Sequence, residues 1–263
     1  MKIAVAISLS FYILVAYSCS AADYGVTAFG RHEIDQSTGK KIAAYSYKLE
    51  NLSKEKNGIS SFCIGDAGDE MAPLLDTRSS NVLPNGFISP DGWKARDVWL
   101  EESYRYLIQW EIADINDLID GRYYLRSGQI SDQFSVRLDK ADPNYVSTKA
   151  SVQGKQVVMI KADTAAPTAE IYLTTLPAVG KRGWLEVSVI AAAHDDMDPY
   201  PDVLLSKITA NQTFPATDVQ AVFNEETKKF LVKMAKDRIY NVTFTVMDAS
   251  GNTTSYSKDL PAK

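Results

Sequence analysis

Apolar and polar residues alternate with a period of two through most of this chain, and that period predicts strands. In AAYSYKLENLS (43–53) Tyr45, Tyr47 and Leu49 share one face, and Asn57-Gly58 then turns the chain into GISSFCIG. YLIQWEIA (106–113) sets Ile108, Trp110 and Ile112 against Leu107, Gln109 and Glu111. QISDQFSVRL (129–138) keeps Phe134, Val136 and Leu138 in register, and QVVMIKA (156–162) is a further short strand. Between them DAGDEMAPLLD and NVLPNGFISPDGW read as turn-rich loops, and INDLIDG (115–121) as a short helix. After a linker-like KADTAAPT (161–168) come AEIYLTT (169–175), GWLEVSVIAAA (183–193), DVLLSKITA (202–210), a weak strand near DVQAVF (218–223), KKFLVKMA (228–235), RIYNVTFTVMD (238–248) and NTTSYSKDL (252–260). The expectation is an all-β protein of two antiparallel β-sandwich domains, residues 23–160 and 161–263, the second with the strand count of an immunoglobulin-like fold.

The first residues change the picture. MKIAVAISLSFYILVAYSCSAAD has one Lys, an apolar run from Ile3 to Ala16 and small residues before Asp23, which is the layout of a signal peptide over 1–22. A lipid anchor at Cys19 is the less favoured reading, because Ala16 stands where a lipoprotein signal carries Leu. No later stretch reaches the ~20 apolar residues of a spanning helix. The expected compartment is periplasmic, cell-surface or extracellular. Cys63 is then the one remaining cysteine, so a disulfide framework is excluded, and its place between Phe62 and Ile64 suggests a buried small hydrophobe. A net charge of −5 without basic blocks argues against nucleic acid as partner.

The second domain also carries a resemblance. DTAAPT, the step into DDMDPYPDV with SKITAN after it, and the closing YNVTFTVMDASGNTTS resemble the bacterial Ig-like domains (HYR and Big-like) of secreted and surface proteins, over residues 162–260. LPAVGKRGWLEV departs from that pattern. More loosely, YSYKLENLS, FCIG, GFISPDGW and FSVRL look like a β domain that precedes such modules. The resemblance implies export and a spacer or docking role, and no activity, since sandwich folds host many functions.

Strand parity gives one candidate site. If the strand from 169 runs away from the linker, the strand ending at Ala193 returns to it, and so does the strand ending at Asp248. Asp163, Asp195, Asp196, Asp198, Asp248 and Asn252 should therefore crowd one pole, facing the first domain. A hard cation relieves such crowding, and Ca²⁺ takes about six to eight oxygens at ~2.3–2.6 Å. The competing reading makes each Asp the cap of its own turn.

Catalytic chemistry finds little support. His32 and His194 lie in different domains, and a zinc site wants several His or Cys at short spacing. No GxSxG, Cys-His pair or glycine-rich phosphate loop occurs. The aromatics Trp93, Trp99, Tyr104, Tyr106, Trp110, Tyr123 and Tyr124 concentrate in the first domain. Trp110 reads as core, whereas Trp93, Trp99 and Tyr124 are the candidates for an exposed contact surface toward a protein or glycan ligand. The expectation is an exported, non-catalytic binding or adhesion module with a possible calcium-stiffened joint. A periplasmic inhibitor or immunity-type protein and a carbohydrate-active enzyme are the alternatives.

Overall fold

The computed structural model describes residues 23–54, 58–64, 82–100, 105–139 and 149–262, with side chains except at 97–100, 105–107 and 149. The expected signal segment and Cys19 lie outside the described residues. The protein is all-β. In chain order its first half holds β1 (Tyr24–Ile34), β2 (Lys41–Asn51), β3 (Ser61–Ile64), β4 (Val82–Ile88), β5 (Trp93–Leu100), β6 (Arg105–Ile112), α1 (Ile115–Asp120), β7 (Ile130–Leu138), β8 (Lys149–Val152), β9 (Lys155–Val158) and β10 (Ile160–Lys161). The second half holds β11 (Thr168–Pro177), β12 (Trp184–His194), β13 (Asp202–Ala210), β14 (Val219–Gln220), β15 (Lys229–Lys233), β16 (Ile239–Met247) and β17 (Thr253–Pro261).

Two sheets, β10-β1-β2-β7-β4 and β5-β6-β3-β8-β9, enclose the first core. Its centre is aromatic: Phe62 stacks on Trp110 with centroids 5.5 Å apart, and Phe134 meets both edge-on. Trp110 is fully buried, as its period predicts, and its indole N–H donates to the Ile88 carbonyl at 3.0 Å. Cys63 corrects the sequence reading: it is half-buried, because on β3 it points opposite to the buried pair Phe62 and Ile64. Strands β1, β4, β5 and β8 also replace expected loop or unassigned chain. In β1 the buried positions are Tyr24, Val26, Ala28, Gly30 and His32, three of which carry no apolar bulk. In β4 the Leu83-Pro84-Asn85-Gly86 run shifts register against β7, and Asn85 has positive φ, so a strand reads locally as a turn. β5 begins at Trp93, directly after the turn at Asp91-Gly92.

The sheets β11-β12-β15-β14 and β13-β16-β17 enclose a second core around Val187, Leu205, Phe230, Val232, Tyr240, Val242 and Phe244. Two pairings fix which strand ends meet. Thr168 lies opposite His194, and Asp202 opposite Met247, so the linker, the exit of β12, the entry of β13 and the exit of β16 share one end.

Candidate functional site

At that shared end the second sandwich meets β1. The strand β10 runs parallel to β1 only at Thr27 and Ala28, and its continuation gives one more bond, from the Ala162 N–H to the Ala28 carbonyl at 2.8 Å. Farther along β1, side chains of the second sandwich take over. Ser250 Oγ accepts from the Gly30 N–H and donates to the Gly30 carbonyl, both at 3.0 Å. Asp198 Oδ1 accepts from the His32 N–H at 3.0 Å. The unclaimed main-chain groups of alternate residues are thus satisfied in sequence. Gly30 permits the approach: a Cβ there would lie 2.5 Å from the Ala249 carbonyl oxygen and 2.9 Å from the Tyr45 ring.

Asp198 is completely buried, and each of its oxygens has two donors. Oδ1 accepts from the His32 and Tyr200 amides, and Oδ2 from the Ala249 amide at 2.8 Å and from His32 Nδ1 at 2.5 Å. On the other side of the ring, His32 Nε2 lies 3.3 Å from Asp202 Oδ2. A neutral imidazole has one N–H, and here both nitrogens face carboxylates that only accept when ionised. The geometry therefore selects the imidazolium. Burial opposes that charge, but hydrogen bonds to Asp198 and Asp202 outweigh it and raise the pKa from 6.5 to about 9. Asp198 and Asp202 are correspondingly lowered: burial works against their ionisation, and His32 prevails. Lys41 pairs with Asp202 and, at 3.0 Å, with Glu226.

Of the six residues expected at a metal, the structure gathers three most closely. One carboxylate oxygen each from Asp163, Asp195 and Asp196 lies within 4.8 Å of the others. Asp198 is committed to His32 and the backbone. Asp248 is also engaged: Oδ1 accepts from the Asn252 amide and Oδ2 from Asn252 Nδ2, each at 2.8 Å. Asn252 gives a second Nδ2 bond to the Asp163 carbonyl at 3.2 Å, and its Oδ1 takes Lys161 Nζ at 2.6 Å. Asn252 thereby ties the linker to the turn after β16. Turn capping and clustering coexist, since Asp195 Oδ1 caps both Met197 and Asp198 amides. Sequence reasoning missed His32, whose partner stands 166 residues away and whose strand showed no apolar period.

The second candidate lies in the first sandwich, where residues 130–134 of β7 stand level with residues 25–28 of β1. A groove of about 370 Å³ is lined by Asp91, Trp93, Tyr123, Tyr124, Gln133 and Phe134 among others. Trp93 corrects the expectation of an exposed platform. It is 8% exposed, packs edge-on against Phe134, and its indole N–H donates to the Tyr123 carbonyl at 3.0 Å. Tyr124 is half-buried and donates its hydroxyl to the Leu118 carbonyl at 2.9 Å. The side chain of Trp99 lies outside those described. Exposure falls instead on Tyr123, at 51%. Its backbone is left-handed (φ 56), and its ring lies so close to Gly92 that a Cβ there would stand 2.2 Å from the ring. A left-handed non-glycine residue holding an open ring is costly by ~1 kcal/mol or more, and such positions cluster at functional surfaces. The sequence signal is Gly92, whose missing Cβ leaves room for this ring.

The fold and these two regions define an all-β protein of paired sandwiches with a polar, closely fitted joint. The chain matches no family model, and comparison with curated proteins gives no match either.

Proposed function

We propose that this chain is an exported, non-catalytic binding module of the adhesion type, in which the first sandwich carries the contact surface and an Ig-like second sandwich serves as its rigid mount. The observation that carries this reading is the Tyr123 ring, half exposed beside a groove that also offers Asp91, Gln129, Ser131 and Gln133. An open aromatic face among convergent polar side chains suits a saccharide, whose C–H faces stack while its hydroxyls take hydrogen bonds. The groove shares no residue with the joint, so a ligand could be held there while the second sandwich stays fixed to β1.

The test is a glycan array probed with the wild-type protein and with Tyr123→Ala, alongside a reducing-sugar assay on every bound glycan. Binding that disappears in the variant while its melting temperature holds supports the reading. Binding indifferent to Tyr123 moves the contact surface elsewhere, and release of reducing ends makes the protein an enzyme.

A further inference from the structure

The geometry points to a divalent cation site, of Ca²⁺ chemistry, formed by Asp163, Asp195 and Asp196 where the linker passes the exit of β12. This site is independent of the aromatic groove. Three acids close together would by themselves be unremarkable, because exposed carboxylates often cluster without a ligand. The separate observation is Asp163. It is 2% exposed, its Oδ1 accepts from the Ala165 amide at 3.1 Å, and its buried Oδ2 has no hydrogen-bond partner. A buried carboxylate oxygen left without a donor is destabilising unless something else neutralises it.

The neighbours make that oxygen harder to explain without a cation. The charges acting on Asp163 are those of Asp248, Asp195 and Asp196, all negative. Lys161, the nearby cation, gives its ammonium group to Asn252. Asp198 has two donors on each oxygen and so offers no ligand atom, while Asp248 is held by Asn252 through one donor on each. Asp195 uses only Oδ1 for its turn, leaving Oδ2 available, and Asp196 is exposed. Two oxygens bound to one Ca²⁺ at ~2.4 Å can stand no more than about 4.8 Å apart. One oxygen from each of the three lies within 4.8 Å of the others, which is inside that pairwise limit. The open side at Asp196 would leave room for the waters that complete six or more ligands. Asp163 belongs to the linker and Asp195 and Asp196 to the second sandwich, so an ion here fastens the linker beside the joint that His32 and Asp198 form.

The experiment is calorimetric titration of the purified protein with CaCl₂, together with thermal unfolding in millimolar Ca²⁺, in chelator, and in NaCl of matched ionic strength. The wild type should bind one Ca²⁺ and melt several degrees higher with it than in matched NaCl. Asp163→Asn, which keeps the shape and removes the charge, should lose that binding and still melt no lower than the wild type does in chelator. Asp196→Asn, at an exposed position, should weaken binding about tenfold or more. No heat and no calcium-specific shift in the wild type, or a shift unchanged in both variants, overturns the assignment.

Discussion

Raising the pH should loosen the joint through His32, and by an amount the structure sets. Both ring nitrogens face carboxylates, and the folded pKa is about 9 against 6.5 for the free side chain. Because folding raises this pKa, protonation favours the folded state. The stabilisation is whole below pH ~6.5 and is lost as pH rises through 9. At about 1.4 kcal/mol per pH unit of separation, the full effect is roughly 3 kcal/mol. His32 is 2% exposed, so solvent screening reduces this little. Other groups titrate in the same range, and the comparison that cancels them is wild type against His32→Gln, unfolded in urea at intervals from pH 6 to 10. The wild-type advantage should shrink steadily with rising pH and nearly vanish above pH 9. Two parallel stability curves would refute the reasoning, since they would mean that the buried ring is neutral throughout.

Two more outcomes follow from contacts at the joint and the groove. Gly30→Ala places a methyl 2.5 Å from the Ala249 oxygen and should cost ~1–3 kcal/mol, read as a lower urea midpoint; no loss would mean that the sandwiches do not touch there in solution. Trp93→Phe keeps the ring in the core but removes the donor to the Tyr123 carbonyl, so it should cost about 1 kcal/mol and weaken any Tyr123-dependent binding; a change in neither would separate Trp93 from the groove.

What the sequence disclosed, and what it withheld, divides by range. Period two located β2, β6, β7, β12, β13 and β16 because their inward positions are large and apolar, as at Tyr45, Trp110, Phe134 and Phe244. It passed over β1 because Ala28, Gly30 and His32 occupy the inward positions there, and the last two are fitted to Ala249, Ser250 and Asp198 of the second sandwich. Strand direction alone was enough to bring Asp163, Asp195 and Asp196 to one end, since antiparallel order fixes which termini meet. It could not distinguish Asp198 from its neighbours, because Asp198 takes its role from a ring in the other sandwich. The aromatic surface failed for a similar reason: size marked Trp93 as a candidate, but exposure went to the residue whose backbone turn Trp93 supports.

The manner in which Ser250 and Asp198 cover β1 bears on how the two halves behave apart. Between Gly30 and His32 the N–H groups that an unpaired strand would offer to another chain are held by a hydroxyl and a carboxylate. Side chains from the second sandwich therefore guard a flank that would otherwise recruit strands from neighbouring molecules. Cut free, the first sandwich would present that flank bare and tend to associate through it, whereas the intact protein carries its own protection against self-assembly.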